Sequence, residues 1–328
     1  MHLLIIGAAG MIGRKLAEHV AATNAIGGQT VNRLTLADVI APNVAADFSG
    51  VRDVVEVDLS NNGAAAALIA ERPDIVVHLA AIVSGEAEAD FDKGYRINLD
   101  GTRALFDAIR LADDYKPRVV YASSLAVFGA PFPDRIPDYF HLTPLTSYGT
   151  QKAMGEMLLD DFSRRGFFDG IGIRFPTICI RPGVPNKAAS GFFSGILREP
   201  LNGQQAILPV GDDVRHWHAS PRAAVRFIEH AAMLDIEKLG SRRNLTMPGV
   251  SATVGDQIEE LRRAAGDDAV ALIKREPDAT IQRIVSGWPQ DFDTARAREL
   301  GFEAESSFDE IIAVYIEDEM NNSPSVGN

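Results

Sequence analysis

Short apolar runs alternate with longer amphipathic stretches through the first half of the chain. Leu3–Gly7, Leu34–Asp38, Val54–Val57, Ile75–Ala80 and Arg118–Ser123 are brief, rich in Val, Ile and Leu, and lack strict polar alternation. That is the texture of parallel strands covered on both faces. Between them, Met11–Ala22, Gly63–Glu71, Phe91–Leu111 and Ser147–Arg165 have helical spacing. The β-α-β-α order predicts right-handed crossovers and an α/β fold with a doubly wound parallel sheet. Ile171–Pro176 adds a further strand. Beyond it, residues 181–221 are rich in Gly, Pro and Arg with weak periodicity. This predicts a smaller region on the carboxyl edge of the sheet, where ligands bind in such folds. Ser220–Leu234, Val254–Ala265 and Phe308–Met320 read as helices, and Thr23–Asn32 as a loop insertion.

The 328 residues carry 32 Lys and Arg against 45 Asp and Glu, a formal charge of −13. Nucleic acid and anionic membranes both require a cationic surface, so neither is expected as a partner. No apolar run reaches the roughly 18 residues of a membrane span. Met1–Ile6 has no basic leader and runs into a glycine loop rather than a small-residue cleavage site. It reads as a buried strand, and a cytoplasmic protein is expected. The lone Cys179 excludes an internal disulfide or a thiolate-rich metal site, and the histidines lack ligand spacing, so no metal is expected.

Gly7-Ala8-Ala9-Gly10-Met11-Ile12-Gly13 follows the first strand and opens the first helix. In that context Gly7 permits a tight turn, Gly10 lets a pyrophosphate approach the main chain, and Gly13 lets helix and sheet pack closely. Free N–H groups at the helix start, around Met11 and Ile12, favour phosphate. The motif therefore points to a Rossmann-type dinucleotide site. Asp38 ends the second strand, where a carboxylate accepts from the adenosine ribose and repels a 2′-phosphate, so NAD is expected over NADP. Asp58 and Leu59 suit the adenine edge, and Asp58 equally suits a helix N-cap. His78-Leu79-Ala80-Ala81 closes the fourth strand with the small residues needed where a cofactor crosses the sheet; His78 itself reads as a core histidine. Residues 1–176 are assigned to an NAD-binding domain to which later segments return, 177–320 mainly to substrate binding, and 321–328 to a disordered tail.

Tyr148 and Lys152, at i and i+4 of a helix, lie on one face a turn apart. A free tyrosine titrates near pH ~10, and a neighbouring ammonium lowers that value. Tyr148 could then take a proton from a substrate hydroxyl as general base. Val119-Val120-Tyr121-Ala122-Ser123-Ser124 ends a buried strand in two hydroxyls at the same sheet edge, where a serine can hold the substrate oxygen against the phenol. Asn98, a poor helix-interior residue, either holds a water beside Lys152 for proton exchange or points to solvent.

These residues together resemble the extended short-chain dehydrogenase/reductase superfamily, which includes nucleotide-sugar epimerases and dehydratases. The resemblance spans nearly the whole chain. It rests on Gly7, Gly10 and Gly13, the His78–Ala81 segment, Asn98, Ser123-Ser124 followed by Val127-Phe128-Gly129, and Tyr148 with Lys152. It implies Ser124 as the catalytic serine, Tyr148 as base and Lys152 as its partner and ribose ligand. Asn98 would join both the catalytic and the cofactor set, and Pro176 would make a main-chain contact to the nicotinamide. A homodimer through the two long helices is also implied.

Two stretches depart from the nucleotide-sugar members. Thr177 stands where they usually carry Asn. Arg215-His216-Trp217-His218-Ala219-Ser220-Pro221 replaces their Arg-Asp-aromatic-Ile/Val-His-Val-x-Asp stretch near the diphosphate. A smaller anion needs only one or two fixed cations, and arginine clamps a carboxylate through two parallel hydrogen bonds. Ala81–Phe91 with Arg174–Gly183 resembles the D-erythronate dehydrogenase branch, whose members oxidise the C2 hydroxyl of a four-carbon sugar acid with NAD. That resemblance implies Ser84, Ser123, Tyr148 and Thr177 around the substrate hydroxyls, and Arg181 or Arg215 on its carboxylate. The alternative is a nucleoside-diphosphate-sugar epimerase or dehydratase, which returns the hydride. A third possibility, a non-catalytic dinucleotide sensor, has no use for an intact Ser124–Tyr148–Lys152 set.

Overall fold

The strands are β1 (His2–Ile6), β2 (Arg33–Asp38), β3 (Val51–Glu56), β4 (Ile75–His78), β5 (Arg118–Ser124), β6 (Asp169–Phe175), β7 (Thr177–Ile178), β8 (Arg215–Ala219), β9 (Asn244–Thr246) and β10 (Val250–Thr253). They belong to a computed structural model that describes residues 1–43, 47–183 and 189–321. Of the tail expected at 321–328, the part from 322 on lies outside the described residues. The first six strands and β9 form one parallel sheet in the order β9-β6-β5-β4-β1-β2-β3. The chain reverses direction across the sheet between β1 and β4. That switch point opens a crevice at the carboxyl ends of the strands. The α/β doubly wound sheet is the one expected.

Helices explain why the central strands read as continuous apolar runs. On one face, α1 (Met11–Thr23) and α8 (Pro221–Met233) bury Leu16, Val20, Phe227 and Ile228 against Leu3, Ile5 and Leu34. On the other, α2 (Ala64–Ala70), α5 (Gly101–Leu111) and α6 (Ser147–Arg164) bury Leu68, Phe106 and Leu159 against Leu4, Val76 and Tyr121. Each such side chain contributes roughly 1.5–3 kcal/mol of hydrophobic stabilisation. Only β3, at the edge, alternates exposed and half-buried positions. The expected loop at Thr23–Asn32 contains a small hairpin, Ala25–Ile26 with Gln29–Thr30.

Beyond residue 176 the chain divides between two places. Helix α8 and strand β9 serve the large sheet. Much of the rest forms a small sheet, β7-β8-β10, and a separate core from α7 (Gly191–Leu201), α9 (Val254–Val270) and α11 (Phe308–Tyr315). Helix α9 runs past the expected Ala265 and is broken at Gly266, whose φ is +83°.

The single helix expected over Phe91–Leu111 is interrupted. It comprises α4 (Phe91–Gly94), a π-helical turn at Tyr95–Asp100, and α5. It is preceded by a short α3 (Ser84–Ala89). The widened turn coincides with Asn98, whose side chain is fully buried and bonded outside its own helix. An inserted side-chain bond of this kind is a physical cause of such a bulge.

Helix α6 is locked to the sheet by buried ions. Arg174 of β6 donates from Nε (2.9 Å) and Nη2 (2.8 Å) to the two oxygens of Glu156 on α6. Ser123 Oγ of β5 donates to the same carboxylate at 2.5 Å. Arg174 also donates to the Asp138 carbonyl (3.0 Å) and stacks over Phe128. Removing one member of such a set strands the other charge in the interior. Glu156→Ala is therefore expected to cost about 3–5 kcal/mol in urea unfolding; a loss below about 1 kcal/mol, the worth of a surface pair, would contradict this role.

Candidate active site

Three local features bring Tyr148 to the end of β5. Thr146 caps α6 by accepting from Gly149 N at 3.1 Å. Glu88 Oε2 accepts from Ser147 N at 2.9 Å, satisfying another free donor of the first turn. An added Cβ on Gly149 would lie 2.1 Å from the Ala126 carbonyl oxygen, so only glycine permits this approach. Ser124, the last residue of β5, is extended and accepts from Ala126 N at 3.2 Å. Its side chain lies close enough to the Tyr148 hydroxyl to act on its proton affinity.

Lys152 is buried one turn on, and its Nζ donates to the Ala122 carbonyl at 2.8 Å. It also lies 5.0 Å from the Tyr121 ring centroid and 5.8 Å from that of Tyr148. Burial pulls its pKa down to about 8, with Glu156 opposing. The Tyr148 hydroxyl is pushed up by burial, while the Ser124 side chain and the Arg181 charge pull it back. Arg181 is thus a cation acting on the phenol that sequence reading did not foresee, beside Lys152, whose ammonium donates to a main-chain carbonyl.

These groups open onto a cavity of about 500 Å³. At one end lie Gly7, Gly10, Met11, Ile12 and Gly13; at the other Ser124, Tyr148, Lys152, Pro176 and Thr177. Leu79, Ala81 and Ser84 form the wall between. The glycine loop fits a dinucleotide. A Cβ on Gly7, whose φ is +91°, would lie 2.6 Å from Ala80 N, and one on Gly13 2.2 Å from Gly7 O. No side chain caps the first turn of α1, which leaves its donors for an anion.

At the adenosine end both carboxylates make protein contacts that the sequence did not announce. Asp38 accepts from Ala9 N (2.8 Å) and Val39 N (2.7 Å), so its carboxylate also braces the glycine loop. Asp58 is neither free nor a helix cap. It binds Ser60 N and Oγ and Arg96, and Gly63 precedes α2 instead. Leu59 is buried among Leu105 and Phe106, and Ala80 packs behind Gly7.

Three further expectations are corrected. Asn98 neither meets Lys152 nor points to solvent. Its Oδ1 accepts from Ile82 N (2.8 Å) and its Nδ2 donates to Ile82 O (3.2 Å) and Gln151 Oε1 (2.8 Å). It braces the wall from behind. Ser123 contributes to the cavity lining, but its side chain alternates away from that of Ser124 along the strand and its hydroxyl is given to Glu156. Arg215 lies outside the cavity lining, donates to the Ser251 carbonyl and approaches Asp256, because strand alternation turns His216 inward in its place.

Arg181 does line the cavity. Its Nε donates to Ile178 O and its Nη2 to Ser190 Oγ, both at 3.0 Å. Among the described residues no carboxylate pairs with it. The charged residues of the described lining are Lys152, Arg181 and Glu88, the last held by Ser147 N. Sequence reading missed Ile284 of α10 (Ala279–Val285) and Trp288, which close the far wall. A Gly-Trp-Pro run at 287–289 was the available signal. His78 is buried as expected, 2.9 Å from Thr102 Oγ1. Among the described residues there is no metal-ligating cluster and no helix long and apolar enough to cross a membrane.

Residues 3–226 match the NAD dependent epimerase/dehydratase family. D-erythronate dehydrogenase of Cupriavidus necator is 47% identical over 322 residues, 97% of this chain and 98% of its own. That of Haemophilus influenzae is 41% identical over 320 residues, 98% of this chain and all of its own. A solved structure described as the nucleoside-diphosphate-sugar epimerase from Agrobacterium tumefaciens is 66% identical, with a TM-score of 0.96 over 98% of this chain and 95% of that one.

The depressed pKa of Lys152 has a consequence for stability. Below about pH 8 both folded and unfolded chains hold its proton, and folding carries the full cost of burying an ammonium. Between about 8 and the ordinary 10.5 the folded chain has released that proton and the unfolded chain has not, so this contribution rises with pH. Relative to Lys152→Met, wild type should gain about 2 kcal/mol in urea unfolding from pH 7 to pH 10. A difference independent of pH would contradict the shift.

Proposed function

Because the chain belongs to the NAD dependent epimerase/dehydratase family, we propose that it oxidises the C2 hydroxyl of a small sugar acid, D-erythronate or a near relative, to the 2-oxo acid. The observation that carries this reading is Arg181, a cation in the cavity wall with no carboxylate partner among the described residues, close enough to Tyr148 for their charges to interact. A substrate carboxylate is the missing counter-ion.

The glycine loop and the start of α1 would hold the pyrophosphate, Asp38 the adenosine ribose, and Lys152 with the Pro176 main chain the nicotinamide end. NAD, when bound, supplies the acceptor for the hydride leaving C2. Ser124 holds the C2 oxygen, and Tyr148 takes its proton. Arg181 holds the carboxylate through charge-assisted hydrogen bonds. Ser84 and Thr177 meet the remaining hydroxyls. A second copy of the chain is assigned to α5 and α6, which expose Leu111 and Met157, and the setting is taken to be the cytoplasm.

The name given to the Agrobacterium tumefaciens structure supports a second reading, a nucleotide-sugar epimerase. Against it, Arg215 turns away from the cavity, which leaves Arg181 and Lys152 as the cations of the described lining.

Purified protein given NAD and D-erythronate should form NADH, followed by absorbance, and UDP- or dTDP-sugars should be left unchanged. Tyr148→Phe should lower kcat by about 10²–10⁴ with unchanged NAD binding. Arg181→Met should raise KM for the acid by about 100-fold. Isomerised nucleotide sugar without NADH from any acid would overturn the reading.

A further inference from the structure

Thr177 and His216 meet in the wall of the cavity, with Thr177 Oγ1 2.7 Å from His216 Nε2. The other ring nitrogen, Nδ1, lies 2.8 Å from the Pro289 carbonyl oxygen. A carbonyl only accepts, so Nδ1 carries a hydrogen. Burial keeps the imidazole neutral, with its pKa pulled down to about 4 and the Arg181 charge acting in the same direction. A neutral ring protonated at Nδ1 offers only a lone pair at Nε2. The single Thr177 hydrogen must therefore be donated to it. The ring is held by packing: Phe193 stacks on it at 5.4 Å and 9°, and Trp288 lies 5.1 Å away.

We propose that His216 is a specificity-determining positioning residue: by taking the Thr177 hydrogen it makes Thr177 an acceptor toward the cavity, selecting a substrate hydroxyl beyond C2. This rests on the sugar-acid reading and deepens it. A hydroxyl on C3 or C4 donates to Thr177 and is matched. A carboxylate or phosphoryl oxygen carries only lone pairs and meets lone pairs there. The same wall thus binds the polyol end and repels the anionic end, leaving the carboxylate to Arg181. Thr177 and Arg181 together fix which way round a sugar acid lies, and with it which carbon faces Tyr148.

The test compares D-erythronate with 2,4-dihydroxybutanoate, 2,3-dihydroxybutanoate and 2-hydroxybutanoate of matching C2 configuration, which lack the C3 hydroxyl, the C4 hydroxyl, or both. Wild type should favour D-erythronate in kcat/KM over at least one singly deoxygenated acid. Thr177→Val and His216→Phe should each reduce that preference by about tenfold, the worth of one neutral hydrogen bond. The loss on D-erythronate should exceed the loss on 2-hydroxybutanoate, which makes no such bond. Thr177→Ser should keep the preference. Nitrogen-15 spectra of wild type should show His216 protonated at Nδ1 and bare at Nε2 near neutral pH, a readout that needs no variant to fold. Equal losses on all four acids, an unchanged preference in His216→Phe, or protonation at Nε2 would each overturn the inference while leaving the sugar-acid reading intact. Wild type that turns over none of the acids would overturn both.

Discussion

At Gly149 the main chain of α6 meets the main chain after β5, with room for a hydrogen and nothing larger before the Ala126 oxygen. The rest of the site depends on that approach. It sets Tyr148 beside Ser124 and brings Lys152 under the Ala122 carbonyl. Two turns on, at mid-helix, Glu156 fixes α6 to the sheet through Arg174 and Ser123. Close-packed interiors yield little, so a helix held at its first turn and again at its middle keeps its side chains within the tolerance that proton transfer needs.

The electrostatics follow from what is and is not paired. Glu156 and Asp138 satisfy Arg174, Glu88 caps α6, and Asp38 braces the glycine loop. Arg181 is left without such a partner among the described residues, in a chain with a net charge of −13. Uncompensated cations in a wall are costly unless a ligand supplies the counter-charge. The site is in this sense stabilised by the anionic substrate it is built to hold.

Much of this was legible in the sequence because its signals are local. The glycine loop, the unpatterned apolar strands and the Tyr148–Lys152 spacing each state their role within a few residues, and the doubly wound parallel sheet follows from the β-α alternation. What failed was long-range. Ser123 and Ser124 are neighbours in sequence, but only the register of β5 against α6 decides which hydroxyl meets Glu156. Arg215 and Arg181 are equally plausible by composition, and strand alternation in β8 separates them. Asn98 was singled out correctly as anomalous, yet its partner, the Ile82 main chain, lies 16 residues away. Asp58 carries contacts to Ser60 and Arg96 that no local pattern announced. Trp288 came from a segment with no periodic signal at all.

The central claim is a net oxidation at C2, and isotopic labelling tests it most directly. D-erythronate carrying deuterium at C2 would be incubated with the protein and NAD, and both products analysed by mass spectrometry. The account predicts that deuterium leaves the acid, appears in the reduced cofactor, and does so in one-to-one ratio with a 2-oxo acid. Deuterium retained in the recovered acid, with no reduced cofactor formed, would contradict it.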